Sequence, residues 1–389
     1  MISVLSLENN LPVMSALFKF LHTSDLHLGK RLFGFSLEED QKHFLNEILS
    51  IAEEEQVDAI IIAGDIYDVS QPPEEAIRMF SDFIHRASGI CAVYAIAGNH
   101  DSADRIGYAK ELLAHSNVFV TGRYEGKAVK FPAKNGVNIF MLPYMRTSSA
   151  RHYYNDPNVR NPDQAVNITL QNSGINADEV NIIVAHQFIA GRGATLTQSD
   201  SESARLSVGT DDLIHSDLFD AFDYGAFGHI HKPQLAGRRE LQYCGSPMKY
   251  SESEYKDVKK VNIVTINGKN DVDIKEVPLH PLREMYVLKG TFREVYNQAK
   301  ELPKGVQVYV TLTETEDRAS EKLSTACETL FHVSYDLPRT ASSSIALSES
   351  EIEMLSDREL FIRFYKQMHG KEPSSEQMEI IDEIMGAGQ

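Results

Sequence analysis

Val57-Asp58-Ala59-Ile60-Ile61-Ile62-Ala63-Gly64-Asp65 is the stretch from which the first half of the chain can be read. Residues 57–63 are apolar almost without a break, which suits a strand covered on both faces. Upstream, Phe44, Leu45, Ile48, Leu49 and Ala52 recur at helical spacing within Glu38–Glu55. Downstream, Pro73 to Ala87 is helical in pattern, with Pro73 suited to the first turn. Outside these helices lie two more β-prone runs, Leu17–Thr23 and Cys91–Ala97. Strands alternating with helices argue for an α/β layered domain. In such domains ligands gather beyond the carboxyl ends of the strands. Those ends carry Ser24-Asp25, Gly64-Asp65 and Gly98-Asn99.

Farther along, the pattern is richer in strands. Asn138–Leu142, Asn181–Ala185, Tyr224–Phe227, Gln242–Cys244 and Lys260–Ile266 are candidates, and Tyr153–Gly174 reads as loop and helix. Ala190–Thr210 is rich in Gly, Ser and Thr and reads as a long surface loop, a kind of segment that is often functional. A small α/β module follows: strand Met285–Gly290, helix Val295–Glu301, strand Gln307–Thr313, helix Ser320–Thr329 and strand Phe331–Tyr335. Ala341–Ser344 reads as a linker.

Residues 348–389 read as a helix pair. Ser356 with Glu359 and Ser374 with Gln377 fit capping boxes, Gly370 and Gly386 stand at helix stops, and Leu360, Phe361, Phe364, Tyr365 and Met368 form one apolar stripe. Met378, Ile381, Ile384 and Met385 form another. Two short helices bury little by themselves, so the pair is expected to pack on the parent domain or to dock on a partner helix or coiled coil. The expected organisation is an N-terminal extension (1–16), a main domain (17–280), the small module (283–340) and the helix pair (348–389).

Composition narrows the classes. A hydrophobic fraction of 42% and a charged fraction of 24% describe a globular protein, and the length of 389 residues suggests two or three domains. No apolar run is long enough to span a bilayer, and residues 1–10 lack the basic start of a secretion signal. Cys91, Cys244 and Cys327 are far apart, as expected of small buried residues in a reducing compartment, so a cytoplasmic location is the default. The net charge of −18 is unlike that of a protein that grips nucleic acid unaided. Either the substrate is small or another protein supplies the affinity for nucleic acid.

Five phrases at strand ends carry the chemistry: Asp25-Leu26-His27, Gly64-Asp65-Ile66-Tyr67-Asp68, Gly98-Asn99-His100-Asp101, Ala185-His186 and Gly228-His229-Ile230-His231. In an extended chain, residues two apart point to the same side, so Asp25 with His27, and His229 with His231, can reach one ion each. Either pair alone is a weak signal, but all five in this order are a strong one. Two metals that share a carboxylate are a device for hydrolysing phosphate esters. His22, His43, His85, His115, His152, His215, His280, His332 and His369 show no such partner pattern.

These phrases resemble the signature of the calcineurin-like metallophosphoesterase superfamily: D-x-H, G-D-x-x-D, G-N-H-D/E, a lone His and G-H-x-H. The resemblance implies a β-sandwich flanked by helices. It assigns Asp25, His27, Asp65 and His231 to one metal, and Asp65, Asn99, His186 and His229 to a second, with Asp65 shared. His100 would be the proton donor to the leaving oxygen and Asp68 the residue that orients it. Mixed nitrogen and oxygen ligands suit manganese, iron or zinc better than calcium, and residue types do not choose among the three; the resemblance implies manganese.

More of the chain is similar to the SbcD family, the nuclease subunits of SbcCD complexes. The carrying phrases are His22–Gly29, Ala63–Asp68 with Pro72-Pro73, and Gly228–His231 with Tyr243–Pro247. The resemblance implies a manganese-dependent 3′→5′ exonuclease on duplex DNA and an endonuclease on single strands and hairpins, acting in DNA repair and recombination. It implies a homodimer within a heterotetramer, a capping role for the small module, and docking of the tail helices on an SbcC-like, SMC-type ATPase. The competing expectation is a stand-alone phosphodiesterase on small or nucleotide substrates, which the acidity favours. Lys30 and Arg31 are candidates to touch a phosphodiester backbone.

Overall fold

The computed structural model describes residues 17–202, 213–337, 356–369 and 372–386. The expected extension 1–16, part of the long loop, the linker 341–344 and Gly370 lie outside the described residues. The chain divides into two compact units. One comprises Met1–Val287, Glu301–Tyr309 and Cys327–His332, and the other Leu288–Lys300, Val310–Ala326 and Val333–Gln389.

The larger unit is built on two six-stranded sheets. In sheet I the strands Phe18–Thr23, Ala59–Ile62, Ala92–Ile96 and Val118–Thr121 run parallel in that order, and Lys260–Gly268 joins antiparallel beside the first. Asp271–Pro278 completes that edge. In sheet II the parallel strands are Asn138–Leu142, Asn181–His186, Tyr224–Gly228 and Leu241–Tyr243, with Val129–Pro132 and Gln234–Leu235 antiparallel at the edges.

Alternation along each strand makes four layers. Phe18, Phe20, Ala59, Ile61, Tyr94 and Ile96 of sheet I share one core with Ile139, Met141, Ile182, Val184, Tyr224 and Ala226 of sheet II. Their neighbours point the other way. Leu21, Ile60 and Ile62 pack with Phe44, Ile48 and Leu49 of helix Glu38–Glu54 and with Met79, Phe80 and Phe83 of helix Glu74–Ile90. Phe140, Leu142, Ile183 and Phe227 pack with Ala150 of helix Thr147–Tyr154 and Ala165, Val166 and Leu170 of helix Pro162–Gln171. Strands apolar on both faces are what this layering requires. The expected α/β class, a sandwich flanked by helices, is the fold observed.

Some sequence expectations need correction. Pro73 is not within the first turn but caps the helix from outside, with extended backbone. Two strands of sheet I, Val118–Thr121 and Asp271–Pro278, were not expected. In the small module the helix expected over Ser320–Thr329 shrinks to Ala319–Leu323. Its three strands, Met285–Gly290, Gln307–Leu312 and Leu330–Tyr335, pair in that order. The described part of the long loop is not only surface, because Leu196, Ser199 and Glu202 are buried.

The tail forms helices Asp357–His369 and Ser375–Gly386. Both capping boxes are made. The Ser356 and Ser374 N–H groups donate to Glu359 and Gln377, and the N–H groups of Glu359 and Gln377 donate back to the two Ser hydroxyls. Arg358 bonds Asp382 across the pair at 2.7 Å. Phe364 and Ile380 are exposed.

Candidate metal centre

The five phrases converge where the two sheets end. Asp25, Asp65 and Asn99 follow three adjacent parallel strands of sheet I. His186 closes one strand of sheet II, and His229 follows its neighbour, with Gly228 paired to His186. Asp25, His27 and His186 are fully buried, and Asp65, His229 and His231 nearly so. Asn99 and His100 are half-buried.

The extended backbone expected at Asp25–His27 and His229–His231 is not what gathers these side chains: the chain turns through left-handed residues, and His229 and His231 fall in different donor groups. Asp25 (φ 55°), His27 (φ 43°), Asp65 (φ 47°) and His229 (φ 96°) all lie in the left-handed region. Such a residue costs on the order of 1–3 kcal/mol and persists only where the surroundings fix it. The fixing bonds are visible. The N–H groups of Asp25 and His27 donate to the carbonyls of Gly64 and Asp65, and Gln41 Nε2 donates to the His27 carbonyl at 2.7 Å. The Asp101 carboxylate accepts from Ile66, Tyr67 and Gly98 N–H at 2.9–3.0 Å, lashing two of the loops together. Gly98 is required by proximity, because a Cβ there would lie 2.1 Å from Asp65 Oδ1.

Three groups of donor atoms result, each with its members within 4.8 Å of one another: Asp25, His27 and His231; Asp65, His186 and His229; and His27, Asp68 and His100. Asp65 Oδ2 is the hub, 3.3 Å from His186 Nε2, 3.8 Å from His27 Nε2 and 4.0 Å from His100 Nε2. His27 Nε2 faces His231 Nε2 at 3.0 Å, and Asn99 Oδ1 lies 3.0 Å from His186 Nε2. All seven expected ligand residues are therefore brought to one place, with His100 beside them.

Asp68 differs from expectation in the atom it uses. His100 Nδ1 lies 2.6 Å from the Asp68 backbone carbonyl, which makes it the N–H donor and leaves Nε2 toward Asp65. The Asp68 carboxylate instead accepts from Lys30 at 2.6 Å and lies 3.5 Å from His27 Nδ1. Burial works against its ionisation, but His27 and Lys30 hold it down at about 2. Lys30 thus has a partner inside the protein, and Arg31 reaches the Gly34 carbonyl at 2.5 Å.

Whether divalent cations fit can be judged from these atoms. Among the described residues, His229 Nε2 is buried without a hydrogen-bond partner. Burial lowers His229 to about 3 and His231 well below the usual imidazole range, so both rings are neutral and can offer lone pairs. Burial pushes the Asp25 carboxyl up, whereas Asp65 is held well below the carboxylate range because His186, His27 and His100 overcome its burial. His186 is raised to about 9: burial opposes its charge, but the Asp65 and Asp25 carboxylates prevail. The pocket thus draws positive charge to itself, as two carboxylates among imidazoles should. The donor set of carboxylate, amide and imidazole fits a pair of divalent ions.

Sequence reasoning missed four contributors. Asp101 stands in a quoted phrase, but its role as a tie between loops is a matter of backbone partners. Ser201, Glu254 and Lys259 lie behind His231, where Ser201 Oγ is 2.6 Å from the ring Nδ1. Nothing in the residue types of the polar loop, or of the segment before strand Lys260–Gly268, marks them.

Comparison with known proteins finds two family matches along the chain. Residues 18–233 match the calcineurin-like phosphoesterase family. Residues 281–369 match the SbcD C-terminal family, described as the type 5 capsule protein repressor C-terminal domain. Among solved structures, a dimetal phosphatase from Danio rerio aligns at 12% identity with a TM-score of 0.39, covering 67% of this chain and 96% of that one. Among the described residues no helix is long and apolar enough to cross a membrane. With the first match spanning more than half of its length, the chain belongs to the calcineurin-like phosphoesterase family and is a phosphoester hydrolase.

Proposed function

We propose that the chain is an SbcD-like DNA nuclease subunit that hydrolyses phosphodiester bonds at a two-metal centre. One observation carries this reading: a metallophosphoesterase match over residues 18–233 and an SbcD C-terminal match over 281–369 occur in the same chain. Asp25, His27, Asp65 and His231 would hold one ion, and Asp65, Asn99, His186 and His229 the other, with Mn²⁺ the favoured metal. When bound, such a pair supplies positive charge for the phosphate oxygens and activation of the attacking water. Starting as the imidazolium, His100 would give its Nε2 proton to the leaving oxygen and be left as the neutral ring whose Nδ1–H the Asp68 carbonyl holds.

The acidity fits a division of labour. The net charge of −18 is unlike that of a protein that grips DNA unaided, and the SbcD resemblance suggests the resolution: an SbcC-like, SMC-type ATPase docked on residues 348–389 supplies the affinity. The module at 283–340 has the part in presenting DNA that the SbcD resemblance gives it, and two copies of the chain join two of the ATPase in a cytoplasmic heterotetramer. The activities proposed are 3′→5′ degradation of duplex DNA and cleavage of single strands and hairpins, in repair and recombination.

The test is degradation of a linear duplex with Mn²⁺, with and without the ATPase, beside hydrolysis of a chromogenic phosphodiester. Duplex cleavage that is stimulated by the ATPase and lost in Asp65→Ala supports the reading. Hydrolysis of the small ester alone, with DNA untouched even with the ATPase present, favours a stand-alone phosphodiesterase on nucleotide substrates. The net charge is the observation that keeps this second reading in view.

A further inference from the structure

Ser201 lies on the long loop after Ile189–Ala190, a segment whose sequence singled out no residue. Its hydroxyl oxygen has three neighbours: His231 Nδ1 at 2.6 Å, Glu254 Oε1 at 2.5 Å and Ser199 Oγ at 2.9 Å. Glu254 is fully buried. Its other oxygen accepts from Lys259 Nζ at 2.5 Å, and Oε1 also accepts from Ser251 Oγ at 2.9 Å. The buried Lys259 ammonium spends its remaining donors on the His231 carbonyl at 3.0 Å and Ser246 Oγ at 3.1 Å. On the same loop, Glu202 Oε1 accepts the His231 backbone N–H at 3.0 Å.

Counting protons fixes the directions. A carboxylate paired with an ammonium has no proton to give, so the short Ser201–Glu254 contact is Ser201 O–H donating. The serine oxygen has then only lone pairs left for His231. The bond between them requires the proton on Nδ1 of the ring. His231 Nε2 is therefore the nitrogen with a free lone pair, and Nε2 is the atom that faces His27.

We infer that the loop sets the tautomer of His231 through the chain Lys259–Glu254–Ser201, and through it the affinity of the ion held by Asp25, His27 and His231. Partners of this kind behind a ligand histidine fix ring orientation and basicity. Ser201 is thus a positioning residue that lets a loop, rather than a strand, govern one of the two ion sites.

The inference rests on the two-metal reading, and the test separates the two claims. The metal-free full chain is titrated calorimetrically with Mn²⁺, as wild type, Ser201→Ala and Ser201→Thr. Histidine ¹⁵N–¹H correlation spectra of the same metal-free proteins report the His231 tautomer, the signal being assigned by its loss in His231→Asn. The wild type should take up two ions and show Nδ1–H. Ser201→Ala should weaken one ion roughly 10–100-fold while the other stays within about threefold, and should lose the pure Nδ1–H signal. Ser201→Thr should restore both readouts. Unchanged affinities and an unchanged tautomer in Ser201→Ala overturn the inference and leave the two-metal reading intact. A wild type that takes up no ion pair overturns the two-metal reading, and the affinity half of the inference falls with it. The spectra still decide the tautomer.

Discussion

Asp25, His27 and His231 on one side of Asp65, and His186 and His229 on the other, are similar residues held in different ways. On the first side the outer atom of a ring is held by side chains: His231 Nδ1 by Ser201, with Glu254 and Lys259 behind it. On the second side it is held by the main chain, since His186 Nδ1 bonds the Ala63 carbonyl at 2.8 Å. His186 also closes a strand of sheet II, whereas the group behind His231 comes from a loop. One half of the centre is therefore set by the sandwich itself, and the other can be altered through a few side chains. The same fold can keep its hydrolytic core while its loop tunes one ion.

The largest effect should come from the residue common to both halves. Asp65→Ala should remove both ions in calorimetric titration and lower turnover beyond the roughly 10²–10³-fold lost when a single stabilising donor is deleted. Retention of one tightly held ion would show that the halves do not share Asp65. His100→Ala should lower turnover by roughly 10²–10⁴-fold while both ions still bind. Loss of metal in that variant would make His100 a ligand instead of the acid.

Gly64→Ala attacks the main-chain-held half. Its Cβ would lie 2.3 Å from His186 Nδ1, at a φ of +90° that side chains rarely adopt. The variant should lose on the order of 1–3 kcal/mol in denaturant unfolding and weaken the His186–His229 ion more than the other. Equal loss at both sites would erase the contrast drawn above. The smallest effect is expected for Tyr243→Phe. The Tyr243 hydroxyl accepts from Ile189 N–H at 2.6 Å and donates to the Gln187 carbonyl at 2.7 Å, just beyond His186. Its removal should cost about 1–2 kcal/mol of stability with two ions still bound. A lost ion would mean that the strand end is less rigid than its pairing implies.

Much of this was legible in the sequence, for physical reasons. Strands buried on both faces leave unbroken apolar runs, so Leu17–Thr23, Val57–Ala63 and Cys91–Ala97 announced themselves, and with them the phrases at their ends. Asp271–Pro278 escaped because it is an edge strand whose alternation, begun by Val272 and Ile274, breaks at Lys275-Glu276 before Val277. Val118–Thr121 is only four residues long. The atom by which Asp68 meets His100 was misjudged, because the contact is made by its carbonyl, which every residue has, and not by its carboxylate. Ser201, Glu254 and Lys259 sit among other serines, acids and lysines, and only folding singles them out.

The central claim is that seven side chains gather two ions around Asp65. Anomalous diffraction from crystals soaked in Mn²⁺ tests it most directly. The account predicts two peaks about 3.5–4 Å apart with the Asp65 carboxylate between them. A single peak, or two peaks with Asp65 touching neither, would contradict it.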